Sequence, residues 1–322
     1  MEEWLWEIIP WGYQVLLGIE AWRNGLLDAV FPFITDFGSA LGYVVIFSVV
    51  YWCVDKTIGQ GLAFAYLYTL VLNAWIKFYF LIPRPDDPSL EEILNKAGII
   101  ERLTPLRKET SPSFLSGHTQ GAVVVWGYLA YHIKKTWFWV LALIIIALIG
   151  FSRMYLGVHF PQDVIGGLIV GVVYLAIWIA LEPRVRGWLL KQTIGLRYAL
   201  AVLLPIVVWL IYPDRSIAEP MGAALGLGVG YLLEGQTIRF SIGGSIGRRI
   251  LRAVVGLVIV IAAFFSLSIL FSTFDESMGD RMEAVWRFLR YAIIGFGGGW
   301  FMPWLFVKIG LADSEIKRKV IP

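Results

Sequence analysis

The chain has 322 residues, 58% of them hydrophobic and only 16% charged, with 15 Trp and 20 Phe. Soluble domains carry about a quarter charged residues, so this composition excludes an ordinary globular core and implies an all-α, polytopic membrane protein. The net charge of +3 comes from Lys and Arg scattered between apolar runs, which offers no nucleic-acid-binding face, and Cys53 is the single cysteine, so no internal disulfide can form.

The first eleven residues, MEEWLWEIIPW, are acidic and lack the basic n-region of a cleaved signal peptide. Over residues 3–32, Pro10, Glu20, Arg23 and Asp28 interrupt the apolar pattern, while Trp4, Trp6, Trp11 and Trp22 suit a membrane–water boundary. Residues 1–37 are therefore expected as an amphipathic segment lying in the interface, with a tenth membrane span as the alternative. Nine spans follow, at 38–54, 59–82, 118–133, 137–153, 161–181, 197–212, 217–234, 253–272 and 287–308. The spans divide into a first set over 38–181 and an additional set of transmembrane helices over 182–322.

Between the second and third spans lies a long loop, 83–117, and loops of more than about 12–15 residues usually carry function. Inside it, SLEEILNKAGII begins with Ser89 and Glu92 at capping-box spacing. Leu90, Ile93, Leu94 and Ala97 share one helical face, so a short amphipathic helix is expected over 89–100. Later in the chain, Gly167 and Gly171 recur at a four-residue interval, as do Gly222, Gly226 and Gly230. That spacing lets membrane helices approach closely. The run GFGGGW at 295–300 has no strand before it and no Lys-Ser/Thr after it, so it reads as helix packing rather than a nucleotide loop.

Basic residues set the expected orientation. Lys56, then Lys134 and Lys135, then Arg184, Arg186, Lys191 and Arg197 alternate correctly with the nine spans. Arg239, Arg248, Arg249 and Arg252 continue the series, followed by Lys308, Lys317, Arg318 and Lys319. The opposite loops, 212–220 and 272–280, are acid-rich. By the positive-inside rule the C-terminus is cytoplasmic and the N-terminus outside.

With that orientation, four helix ends bring polar residues to the outer face. Lys77 and Arg84 stand seven apart near the end of the second span, about two turns, so both can face one spot if the helix continues. Arg153 closes the fourth span and adds a third cation, and guanidinium groups suit phosphate oxygens. Ser116 and Gly117 open the third span, where free backbone N–H groups favour an anion and Gly117 permits close backbone approach. Two histidines remain at this face. One can attack phosphorus while the other protonates the leaving oxygen. Asp163, four residues after His159, can hold that imidazole in one tautomer. The cations and N–H groups can neutralise phosphoryl charge without a metal, and no cofactor is expected. The third histidine, His132, sits beside Lys134 and Lys135 on the other side and is expected to be structural.

Lys77–x6–Arg84–Pro85, then Ser116–Gly117–His118, then Ser152–Arg153–x5–His159–x3–Asp163 resemble the three signatures of the type-2 phosphatidic acid phosphatase superfamily. The resemblance implies that Lys77, Arg84, Ser116, Gly117 and Arg153 bind phosphate. It further implies that His118 is the general acid, that His159 forms a phosphohistidine, and that Asp163 orients it. The family usually has proline before Ser-Gly-His; Leu115 stands there, with Pro112 three residues earlier. Altered loop geometry is expected from that change, not lost activity. The nine-span layout is also similar to the glucose-6-phosphatase branch.

These readings converge on a metal-independent phosphatase of a lipid phosphate or pyrophosphate, integral to a prokaryotic plasma membrane, with its site on the non-cytoplasmic side. Its expected partners are a phosphorylated lipid and the surrounding membrane lipids. Alternatives are a phosphatase of a soluble organic phosphate, a phosphotransferase using the same site, and an anion transporter. The last requires charged residues facing each other in mid-span, of which the sequence has few.

Overall fold

Helices account for all regular structure of consequence in the computed structural model, which describes residues 3–275 and 280–318. Among the described residues they are α1 (Glu3–Glu7), α2 (Ile9–Glu20), α3 (Gly25–Phe37), α4 (Ala40–Val49), α5 (Lys56–Phe80) and α6 (Glu91–Lys96). They continue with α7 (Gly117–Ile133), α8 (Thr136–Tyr155), α9 (Pro161–Lys191), α10 (Ile194–Ile211) and α11 (Arg215–Thr237). The series ends with α12 (Ile246–Asp275), α13 (Asp280–Phe296), α14 (Met302–Lys308) and α15 (Glu315–Arg318).

Each expected span falls on helix. Six of them, α5 and α8 to α12, are singly long and apolar enough to cross a membrane, and a seventh arises if α3 and the 40–54 helix count as one span bent by 52°. The other two expected spans are short or broken. α7 has 17 residues, and 287–308 is divided by a π-helical turn at Gly297–Phe301. The middle of the expected acidic loop, 276–279, and Lys319 lie outside the described residues.

The chain forms two compact units, residues 1–43 with 72–179 and residues 44–71 with 180–322. Tyr51, Trp52 and Cys53 join a cluster with Ile238, Phe240, Met302 and Phe306, which groups the end of the first expected span with the C-terminal helices. Only packing between residues distant in sequence reveals that grouping.

In the first unit, α7 and α9 meet through glycine. A Cβ on Gly167 would lie 2.7 Å from the Ser116 carbonyl oxygen, and one on Gly171 would lie 2.9 Å from Val123 Cβ. The N-terminal segment folds as α1 to α3. Leu5, Ile9, Tyr13 and Leu16 bury themselves with Leu90, Leu94, Ile99 and Leu103, so the segment packs directly on the long loop. Polar contacts pin the two together. Tyr13 Oη accepts from the Leu103 N–H at 2.8 Å, Arg23 donates to the Tyr155 carbonyl at 2.8 Å, and Arg107 pairs with both oxygens of Asp36. The helix expected over 89–100 is shorter, since α6 covers only Glu91–Lys96 after a 3₁₀ turn at Pro88–Leu90. Asp87, rather than Ser89, caps it by accepting the Ser89 N–H at 2.9 Å. Pro88 at the first position of the turn favours that start.

In the second unit, α11 packs on α13 at a separation only glycine allows. A Cβ would lie 2.1 Å from the Phe288 carbonyl oxygen at Gly222 and 2.0 Å from that of Ala292 at Gly226. The GFGGGW run also serves packing, because Tyr51 Oη donates to the Gly299 carbonyl and Trp52 Nε1 to that of Gly298. Arg252, one of the basic residues that set the expected orientation, lies within α12. It is fully buried and donates to the carbonyls of Trp52, Ser241, Gly243 and Leu311. Buried charge is tolerated when hydrogen-bonded in this way. Arg287 likewise pairs with Glu219 and Glu283.

Candidate active site

The expected residues gather within the first unit, by a route the sequence does not reveal. α5 ends at Phe80, where Leu81 takes a left-handed conformation (φ 49°) and its N–H bonds the Lys77 carbonyl at 2.9 Å. The chain is not helical through Ile82-Pro83, since a residue before proline disfavours helix. Lys77 and Arg84 therefore do not share a helical face, as their spacing suggested. They meet through the loop: Lys77 Nζ and Arg84 Nη2 both donate to Ser111 Oγ, at 3.2 and 3.0 Å.

Arg84 organises the cluster. Its guanidinium donates to the carbonyls of Ser111 and Val158 at 2.7 and 2.6 Å, and its Nη1 lies 3.2 Å from His159 Nε2. On the other side of the ring, His159 Nδ1 is 3.3 Å from Asp163 Oδ2. A carboxylate can only accept, so Nδ1 carries the proton and Nε2 keeps its lone pair toward Arg84. Burial, and then the cations Arg84 and Lys77, push the His159 imidazolium well below its usual range. The ring therefore rests in its neutral form.

The turn between α8 and α9 makes this arrangement local. Gly157 is left-handed (φ 70°), and Pro161 opens α9 with its fixed φ. The first turn of α9 places Asp163 beneath His159. Asp163 Oδ2 also accepts from the Phe160 N–H at 2.8 Å and from the Ser113 hydroxyl, while its carbonyl receives the Ser116 N–H at 3.0 Å. Thus the starts of α7 and α9 are bonded to each other.

Ser116 caps α7, accepting from the Thr119 hydroxyl at 2.9 Å and its N–H at 3.4 Å. A Cβ on Gly117 would lie 3.0 Å from Asn73 Oδ1, so glycine leaves room for that side chain. His118 occupies the first turn of α7, half-buried, within electrostatic reach of Arg153, Glu109, Lys77 and Arg84. Arg153 is fully buried on α8 and donates to Thr35 Oγ1 at 2.9 Å. Ser152 turns back on its own helix, donating to the Ile149 carbonyl at 2.7 Å. Leu115, at the place of the family's proline, is buried in the N-terminal cluster with Phe160.

Several participants escaped sequence reasoning. Glu109 is the foremost: one carboxylate oxygen bonds Arg153 and the other lies 3.1 Å from Arg84. Although burial opposes its charge, Arg153 and Arg84 hold the carboxyl well below its ordinary 4.5, at about 2. Ser111 and Ser113 come from the same loop. Asn73, one helical turn before Lys77, donates to Gln120 Oε1 at 2.8 Å and to the Leu115 carbonyl at 3.3 Å. Thr35 comes from the N-terminal segment. For Glu109, Ser111 and Ser113 the available signal was the polar run ETSPS, two residues before the second signature.

The chain is similar to known proteins over much of its length. Residues 60–186, which include all eight expected site residues, match the PAP2 superfamily, and residues 218–314 match the PAP2 superfamily phosphatase, transmembrane extension. The chain is 24% identical to lipid phosphate phosphatase delta of Arabidopsis thaliana over 60% of its own length and 47% of that protein's. It is 32% identical to phosphatidylglycerophosphatase B of Bacillus subtilis (strain 168), over 35% of this chain and 62% of that one. It is also 23% identical to sphingosine-1-phosphate phosphatase 1 of Rattus norvegicus, over 88% and 72% respectively. The chain spans about half the length of the first of these relatives. With the spanning helices and the matched transmembrane extension, it is an integral membrane protein that belongs to the PAP2 superfamily, the type-2 phosphatidic acid phosphatases.

Proposed function

We propose that this protein is a metal-independent phosphatase of a lipid phosphate, working through a phosphohistidine at the non-cytoplasmic membrane face. The observation that carries the reading is the state of His159. It is a neutral imidazole with Nδ1 bonded to Asp163 and Nε2 turned toward the guanidinium of Arg84. In the proposed sequence a phosphate monoester exchanges into contact with Arg84, Arg153 and Lys77, and Arg84 releases Nε2. Nε2 then forms a bond to phosphorus as the ester P–O bond breaks, and His118 gives a proton to the departing alkoxide. Asp163 offsets the charge on the phosphorylated ring. Water, deprotonated by His118, attacks the phosphohistidine, releasing inorganic phosphate and restoring both rings.

Lipid substrates are favoured by the activities for which the relatives are named and by the surroundings of the site. Exposed Tyr79 and Leu81 flank the end of α5 between Lys77 and Arg84, an apolar surface fitted to an acyl or sphingoid tail. The test is phosphate release by the purified protein from phosphatidate, phosphatidylglycerophosphate, sphingosine 1-phosphate, a polyprenyl pyrophosphate and glucose 6-phosphate, in EDTA, beside His159→Ala. Release from the lipids that vanishes in the variant is expected. Turnover of glucose 6-phosphate alone would transfer the reading to soluble substrates, and undiminished release by His159→Ala would remove the phosphohistidine.

A further inference from the structure

Three cations, Lys77, Arg84 and Arg153, are buried side by side, at 8%, 5% and 0% exposure. Desolvated like charges are costly unless an anion lies among them. The chain supplies one. Glu109 divides its two carboxylate oxygens between two guanidiniums, Oε1 on Arg153 and Oε2 on Arg84, as two oxygens of one phosphate would be divided.

The arginines and the glutamate are not held alike. Arg84 is anchored by the Ser111 and Val158 carbonyls, and Arg153 by Thr35 Oγ1, so both stay in place without Glu109. The Glu109 side chain is 28% exposed, on a stretch without helix, between exposed Lys108 and Thr110. It is the more exposed partner in both ion pairs, at 28% against 5% for Arg84 and 0% for Arg153.

We propose that Glu109 is a specificity-determining residue, an internal anion that fills the phosphate position of the free protein and yields only to a ligand of higher charge. A tethered carboxylate competes at high effective concentration. A monoanion, such as a phosphodiester, brings no more charge than the group it must displace. The terminal dianion of a phosphate monoester brings twice as much, and both guanidiniums present paired donors suited to it. Discrimination between monoester and diester headgroups thus begins at binding, before any chemistry. This inference rests on the cluster being a phosphate site, as proposed above.

The experiment is calorimetric titration at pH 8 of the full chain in detergent with inorganic phosphate and with dimethyl phosphate, for wild type, Glu109→Gln and Glu109→Asp. Wild type is expected to bind phosphate and not dimethyl phosphate. Glu109→Gln is expected to bind phosphate about tenfold tighter, about 1.4 kcal/mol, and to gain binding of dimethyl phosphate. Glu109→Asp, which keeps the charge, is expected to stay near wild type. Unchanged or weaker phosphate binding by a folded Glu109→Gln overturns the proposal and leaves Glu109 as a brace for the arginines. Should Glu109→Gln not fold, wild type decides alone: equal affinity for the two ligands overturns the proposal. Phosphate binding without release from any lipid would instead count against the phosphatase reading, so the two failures are distinct.

Discussion

Asp163→Asn removes one negative charge from beneath His159 while keeping the shape of the group. Asp163 Oδ2 accepts from the Phe160 N–H at 2.8 Å, from His159 Nδ1 at 3.3 Å and from the Ser113 hydroxyl. Hydrogen bonds to a charged group contribute about 1.5–3 kcal/mol, against about 1 for neutral pairs. An amide oxygen in the same place therefore forfeits about 1 kcal/mol per bond, or about 3 kcal/mol in all. For the unit that holds the site, that corresponds to a fall in Tm of about 6–12 °C. The kinetic effect is larger. A neutral amide no longer offsets the positive charge on the ring, and in an oriented triad the same change costs about 10⁴ in kcat. The assay is phosphate release from a lipid phosphate at saturating and limiting concentrations, with thermal unfolding in the same detergent. A kcat lowered by about 10³–10⁴ is expected, with little change in KM because Asp163 holds none of the phosphate-binding cations. A variant folded at the assay temperature that keeps kcat within about tenfold of wild type refutes the orienting role.

Acidification should destabilise the protein through two groups acting in the same direction. Glu109 has its folded pKa depressed from 4.5 to about 2, so its stabilisation is full above 4.5 and lost as pH falls toward 2. At 1.36 kcal/mol per unit this is at most about 3 kcal/mol. His159 is also depressed, from 6.5, so the unfolded chain takes up a proton there that the folded chain refuses, and stability begins to fall below that pH. Thermal unfolding followed from pH 8 to pH 4 should show Tm decreasing below about 6.5, and a Tm that rises over that range contradicts the His159 assignment, since Glu109 acts only below 4.5. In the second unit, Gly226→Leu would drive a side chain into the Ala292 carbonyl, where even a Cβ would sit 2.0 Å away. Overpacking of this kind costs about 1–3 kcal/mol or more, read as a lower Tm or aggregation in detergent. A Tm within 1–2 °C of wild type, about the error of the measurement, would mean that α11 and α13 separate easily.

Much of this molecule is written in local pattern. Apolar runs longer than any soluble helix needs specify helices, because a bilayer leaves the backbone no other way to satisfy its N–H and C=O groups. The expected spans 137–153 and 161–181 are legible for that reason and fall within α8 and α9, although α9 runs on to Lys191. The link from His159 to Asp163 is legible too, since four residues across a helix start bring the two side chains together. So is the glycine spacing at Gly222 and Gly226, which reports on close packing even when the partner helix is unknown.

What depended on folding in three dimensions was everything that one part of the chain does for another. Spacing let Lys77 and Arg84 face one spot if the helix continued, but the helix stops at Phe80 and the two cations meet through Ser111. Arg252 counts as a loop charge in sequence, yet four backbone carbonyls from distant segments draw it inside. The N-terminal segment shows only its amphipathic character in sequence; that its Thr35 bonds Arg153 and its Asp36 pairs with Arg107 depends on packing against the long loop. Glu109 is the sharpest case. In sequence it is one acid in a charged loop, with no periodicity to mark it. Its role appears only when two arginines, 25 residues before it and 44 after it, are brought to either side of its carboxylate. Periodicity records which face of a helix is apolar, whereas the pairing of buried charges is decided by neighbours in space, and one chain alone does not announce them.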